Sequence, residues 1–333
     1  MKNRERRGEV VSVSGNPRAS PPWRRKELPV VLRGDVAVLL ENAPAKRQAL
    51  AEAAFVFFAV LGPSSVARLG RGAAVAVELA LLAWGLMLLR PWESSRRGAW
   101  WGVLGLVVAL GGAGAGAWVA SDAEMTKGFS LSMAPLVIRA LGMCLLVAVL
   151  LWRDGQGPAQ VGLVREGWAR ELLLGGGVLV GTYVVHLAAS VPLAAVAVAL
   201  KLAGAELAAR KGVAAALLDT GLGVPAFAAI MVVVTGFEEF VFRGFLVPRL
   251  KVVLGGWVPA ILGAAVLFSV GHFYEGTLAV FQTFVMGAWF GFVLWYRGRL
   301  LPLIVAHAAF NTISFALMLW LSRSGFLEKL PPL

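Results

Sequence analysis

The sequence predicts an all-α, polytopic bundle of eight or nine transmembrane helices, and three observations lead there. Hydrophobic residues make up 59% of the 333 positions and charged residues only 15%, with a mean hydropathy of +0.77. Ordinary globular chains carry about 25% charged residues. Apolar runs of about 18 residues or more recur along the chain, long enough to cross roughly 30 Å of hydrocarbon. Lys and Arg gather in the gaps between these runs, more densely in alternate gaps, as positive-inside topology signals do.

The same distribution accounts for the net charge of +12. Eleven of the 31 Lys and Arg precede Ala49, which suits a basic tail lying on anionic lipid headgroups and argues against a nucleic-acid partner. Cys144 is the single cysteine and sits in an apolar run, so an intrachain disulfide is excluded and the residue reads as core packing. The first 30 residues contain no apolar stretch of the signal-peptide kind.

In chain order, residues 1 to about 26 are polar, basic and interrupted by Pro17, Pro21 and Pro22, and read as a disordered cytoplasmic tail. Residues 28–40 suit an interfacial helix. Residues 49–66 hold an apolar core that is marginal in length for a span. Clearer spans are expected at about 72–89, 99–120, 131–152, 172–200, 224–246, 257–274, 277–296 and 301–321. Trp100, Trp101, Trp118, Trp152, Trp257, Trp295 and Trp320 mark many of their ends, as aromatic belts do. Gly112/Gly116 and Gly287/Gly291 have a spacing that lets helices approach closely. Residues 161–171, with Trp168, are amphipathic and suit a helix along the cytoplasmic interface.

The gaps at 90–98, 153–171, 247–256 and 297–300 are the more basic ones, carrying among others Arg90, Arg96, Arg97, Arg153, Arg249, Lys251 and Arg297. They should be cytoplasmic in an inner (plasma) membrane. The N-terminal tail shares that side if 49–66 also crosses, giving nine spans.

Within this frame, adjacent carboxylates Glu238 and Glu239 follow a charge-free apolar run. Ionisable groups at membrane depth are costly and point to function by default. Arg243 lies four residues after Glu239, on the same helical face, where a carboxylate–guanidinium pair can form. That leaves Glu238 free to aim elsewhere. Phe268 and His272 share a face at the same spacing in the next span, and His307 and Asn311 share one in the last. A carboxylate, two imidazoles and an amide from three helices suit attack of water on an amide bond, which needs a base and donors for the oxyanion. The bland readings are snorkelling of the acid pair with Arg243 and Arg249, and histidines satisfied within the core. His186, with no partner motif, takes the latter. At ~1.5 Å per residue, Glu238 and His307 both approach the cytoplasmic side, whereas His272 is expected to lie deeper.

Glu-Glu-Phe-Val-Phe-Arg-Gly (238–244) resembles the EExxxR motif of the CAAX-protease and bacteriocin-processing family, also called CPBP or Abi. Phe-Ser-Val-Gly-His (268–272) matches its FxxxH motif and His-Ala-Ala-Phe-Asn (307–311) its HxxxN/D motif. Each motif is weak alone; the three occur here in the family's order, in separate predicted spans. The resemblance covers about residues 226–315. It implies a glutamate-dependent intramembrane endopeptidase acting on a membrane-associated protein or peptide near its anchored or C-terminal part. Glu238 would activate water with help from His272, Glu239 and Arg243 would shape the site, and His307 and Asn311 would hold the water and oxyanion.

Relatives are often labelled metalloproteases. If zinc were bound, Glu238, His272 and His307 would be its ligands, but the sequence lacks HExxH and a water-activating glutamate explains the residues equally well. The implied organisation is a tail at 1–48, N-terminal helices at 49–160, a catalytic membrane domain at 161–322 and a short tail at 323–333. Alternatives are a proton- or cation-coupled transporter using the Glu/His cluster and a non-catalytic scaffold or immunity protein.

Overall fold

A computed structural model describes residues 36–66, 71–93, 98–124 and 133–324, and they contain helices and connecting turns without any β-strand. The helices are α1 (Lys46–Val66), α2 (Arg71–Leu89), α3 (Ala99–Glu124), α4 (Met133–Arg153), α5 (Trp168–Ala199), α6 (Ala203–Asp219), α7 (Val224–Glu238), α8 (Val247–Leu254), α9 (Trp257–Val270), α10 (Thr277–Arg297) and α11 (Leu301–Arg323). Among the described residues six stretches are long and apolar enough to cross a membrane: Gly72–Leu89, Met133–Arg153, Trp168–Ala199, Val224–Leu254, Thr277–Arg297 and Leu301–Arg323. Ala99–Gly114 and Trp257–Val270 are shorter apolar helices. The chain is a multi-pass helical membrane protein.

Local chemistry sets the boundaries. Pro225 and Pro302 stand in the first turns of α7 and α11, where proline's missing N–H costs nothing. Gly255 (φ 78°) ends α8 and Gly298 (φ 63°) ends α10, in a left-handed conformation that side chains disfavour.

Small residues let the helices close on one another. A Cβ added at Gly142 of α4 would stand 2.4 Å from the backbone N of Ala109 in α3. At Gly291 of α10 it would stand 2.6 Å from Ile261 of α9, and at Gly287 it would stand 3.2 Å from the Arg243 guanidinium. In a bilayer, where burial from water drives nothing, such backbone approach is the main source of packing energy. Phe55, Leu106, Met143, Leu146, Phe245 and Leu246 belong to the core that joins α1, α3 and α4 to the helix carrying the acid pair.

One end of the bundle is tied by buried charge. The Glu52 carboxylate of α1 accepts from Arg249 Nε of α8 at 2.9 Å, from Gln48 at 2.8 Å and from Arg153 of α4. Arg249 also donates to Asp154 at 2.9 Å and to the Gln156 side chain at 2.6 Å. Arg153 donates to the carbonyl of Leu88, the penultimate residue of α2, at 3.2 Å. The Leu300 N–H reaches the Gly162 carbonyl at 2.9 Å, and Arg297 pairs with Glu171 at 2.6 Å. The basic residues of the 153–171, 247–256 and 297–300 gaps are therefore gathered at one end.

Four differences from the sequence reading matter. The span expected at 224–246 does not stop there. It continues through a π-helix, Glu239–Leu246, into α8, so the gap at 247–256 shrinks to the turn at Gly255 and Gly256. Pro248 cannot donate back along the helix, and the wider i→i+5 spacing lies immediately before it. The span expected to end at 274 ends at Val270, and His272 lies in the turn beyond. Residues 161–171 form no amphipathic helix; a 3-10 turn (Pro158–Val161) is followed by glycines 162 and 167 at positive φ, and α5 starts at Trp168. Residues 203–219, expected as a gap, form α6. Of the 28–40 segment, a short 3-10 helix (Val36–Leu40) is described. The rest of the basic tail, Arg96, Arg97, Lys127 and residues 325–333 lie outside the described residues.

Candidate active site

The continuous helix through Glu238 resolves the depth expected of His272. Counting back from Leu254, Glu238 lies 16 residues away, and counting forward from Trp257, His272 lies 15 residues away. At ~1.5 Å per residue both are roughly 20–25 Å from the α8–α9 turn. Contacts across this hairpin fix the register: the Arg243 guanidinium lies over the Phe268 ring at 4.2 Å, and the Phe242 and Phe268 rings are 5.0 Å apart. One turn deeper on each arm brings Glu239 and His272 to the same level.

His307 of α11 reaches the acid pair from the other side. Its Nδ1 lies 2.8 Å from Glu239 Oε1, and its Nε2 lies 3.7 Å from Glu238 Oε2. Arg243 Nη1 meets the same Glu239 oxygen at 3.0 Å. Glu239 is fully buried, Arg243 and His307 are 1% and 6% exposed, while the Glu238 side chain keeps 19% of its surface. The two acids thus differ in kind. Glu239 is enclosed and held by two partners, and Glu238 is the carboxylate that keeps accessible surface.

The hydrogen bonds also orient the imidazoles. A carboxylate oxygen accepts, so His307 Nδ1 carries the proton it shares with Glu239, and Nε2 is turned to Glu238. His272 Nδ1 lies 3.1 Å from the Phe268 carbonyl, so that nitrogen is likewise the donor and its Nε2 is left for other partners. The aromatic frame is continuous: Phe268 is 4.7 Å from the His272 ring and 6.2 Å from His307, and Phe290 packs on His307 at 5.3 Å.

The sequence-derived residues are not equally close. Glu238, Glu239, Arg243 and His307 form one contact network. His272 joins it through the Phe268 ring, with no hydrogen bond or ion pair to the others among the described residues. Asn311 sits one turn beyond His307, its amide 3.9 Å from Met231 Sδ. Two polar atoms inside the network, Glu239 Oε2 and Arg243 Nη2, are buried with no hydrogen-bond partner.

Arg139 of α4, which the motif spacing missed, lies within electrostatic reach of Glu238. It is the single charge in an otherwise apolar run from 133 to 152, and that isolation was the available signal. Phe290 also went unnoticed, because nothing separates it in sequence from other apolar positions of α10.

A zinc site on Glu238, His272 and His307 does not fit this arrangement. Among the described residues no group of three His, Cys, Asp or Glu side chains is disposed to hold a metal ion. The Glu239 oxygen that faces the cluster is already shared by Arg243 and the His307 N–H.

Residues 220–313 match the family model described as Rce1-like, type II CAAX prenyl endopeptidase Rce1-like. The match spans under a third of the chain and contains all three motifs, so the resemblance read from them is borne out there. Neither the curated proteins nor the solved structures include a match to the chain.

Proposed function

We propose, on the premise that residues 220–313 carry the signature of the Rce1-like CAAX prenyl endopeptidases, that this membrane protein hydrolyses a peptide bond of a membrane-associated substrate with water activated by Glu238. The observation that carries the reading is the asymmetry of the acid pair. Glu239 is held by Arg243 and His307, while Glu238 stays accessible with an imidazole Nε2 at 3.7 Å.

In this mechanism a water molecule bound beside Glu238 gives its proton to the carboxylate as its oxygen bonds to the scissile carbonyl carbon. The C–N bond then breaks, and the leaving amine takes the proton back from Glu238. Water, amide, acid and amine balance, and Glu238 ends as it began. His307, its Nδ1–H fixed by Glu239, keeps Nε2 aimed at the reacting water, as an oriented imidazole does in hydrolases. Arg243 offsets the Glu239 charge, and its stacking on Phe268 holds the pair rigid. His272 and Asn311 flank this centre as contacts for substrate and oxyanion. No step here requires a metal.

The end of the bundle bearing Glu52, Arg153 and Arg249 would face the cytoplasm of the inner membrane, since it collects the basic gaps. Labelling a single cysteine at position 251, in a Cys144→Ala background, from either side of oriented vesicles tests that assignment. The catalytic reading is tested by Glu238→Gln and His307→Ala in reconstituted protein with a membrane-tethered reporter peptide. Both should insert and fold while cleavage falls by about 100-fold or more, the scale of losing a general base. Cleavage at the wild-type rate by both variants would sink the proposal.

A further inference from the structure

The turn that carries His272 is held from outside the motif segment by α6. Glu206, 8% exposed, accepts the backbone N–H of Thr277 at 2.9 Å with one carboxylate oxygen and that of Leu278 at 3.1 Å with the other. These are the first N–H groups of α10, which its own N-cap, Gly276, cannot satisfy because it has no side chain. A carboxylate at a helix N-terminus meets both the orphan donors and the positive end of the helix dipole. One turn along α6, Arg210 donates to Gln282, which in turn donates to Ser190 of α5 at 2.6 Å. The contact is built closely. Gly276 has φ 110°, and a Cβ there would stand 2.4 Å from Glu206 Oε2.

Between this clasp and the end of α9 only residues 271–276 remain. Their internal bonds run His272 N to Ser269 O, Glu275 N to His272 O and Gly276 N to Phe273 O. His272 is therefore fixed behind by the Phe268 carbonyl and ahead by the start of α10, and Glu206 determines where α10 starts.

We propose that Glu206 is a positioning residue for His272: by capping α10 from α6 it sets the level and orientation of the His272 imidazole against the Phe268 ring. The proposal rests on the reading of His272 as a site residue. Its first test is independent of hydrolysis.

The chain has three histidines, so the imidazole resonances of isotope-labelled full-length protein in nanodiscs can be assigned one by one by substitution. In Glu206→Ala, and in Glu206→Gln, which keeps one acceptor and turns an amide NH2 towards the second N–H, the His272 signals should move or broaden while those of His307 stay. Gln282→Ala, which loosens α6 on α10 without touching the cap, should leave His272 unchanged. Unmoved His272 signals in both Glu206 variants, or equal changes at all three histidines, overturn the proposal. So does a Gln282→Ala effect on His272 as large as that of Glu206→Ala.

With a reporter peptide cleaved in a Glu238-dependent way, Glu206→Ala should lower kcat about tenfold with KM unchanged, and a loss confined to KM contradicts the role. Should the wild type cleave nothing, the hydrolytic reading fails while the resonance test still decides this one.

Discussion

Glu238→Gln and Glu239→Gln change the same atoms in adjacent residues, and the structure requires opposite effects on stability. In Glu239→Gln the Arg243 guanidinium, 1% exposed, loses the carboxylate it meets at 3.0 Å, and the His307 N–H loses a charged acceptor at 2.8 Å. Removing one partner of a buried pair costs about 3–5 kcal/mol, because the other charge remains desolvated. Gln can still accept through its amide oxygen, so the lower end, ~3 kcal/mol, is expected. Glu238 makes no hydrogen bond among the described residues and keeps 19% of its side-chain surface. A charge at membrane depth costs roughly 2.5–3.5 kcal/mol on insertion scales, which offsets the lost electrostatic contact with Arg139, so Glu238→Gln should leave stability close to wild type or above it. Thermal unfolding of both purified variants in one detergent measures the contrast, with the reporter-peptide assay run alongside. Glu239→Gln should unfold well below wild type, and Glu238→Gln at or above it with cleavage lost. Equal destabilisation by the two, or a Glu239→Gln protein as stable as wild type, would refute the division into anchor and reactive acid.

Other consequences concern the frame around the site. Glu52→Ala leaves Arg249 and Arg153 without their shared carboxylate and should destabilise the protein by about 3–5 kcal/mol, read as a lowered Tm and faster proteolysis of α1. Gly142→Val has to move backbone, since even a Cβ would meet Ala109 N at 2.4 Å, so cross-linking between cysteines introduced on α3 and α4 should drop sharply. Gly276→Ala combines a φ of 110° with a contact on the Glu206 carboxylate; strain of order 1–3 kcal/mol should appear as a lower Tm and as the same His272 resonance change that Glu206→Ala gives.

The amino-acid sequence by itself determined the helical membrane class and the apolar stretches that become helices, because hydropathy and the bilayer's intolerance of unsatisfied backbone act on each segment separately. It also determined the Glu239–Arg243 pair, since i,i+4 spacing on one helix is local geometry. The close approach at Gly287 and Gly291 was legible as spacing, yet α9 as the neighbour was not.

Tertiary structure decided the rest. Helix ends depend on how partners pack, so the run past 246 to Leu254 and the stop at Val270 escaped a hydropathy reading, and with them the depth of His272. The i,i+4 spacing set Glu239 apart with Arg243 and left Glu238 free, but packing decided which acid His307 meets. The difference arises because α11 brings His307 Nδ1 to Glu239 and leaves Glu238 at the open edge. Arg139 and Glu206 stand 99 and 66 residues along the chain from Glu238 and His272. No local pattern links them, because charge balance and helix capping act through space once the bundle has closed.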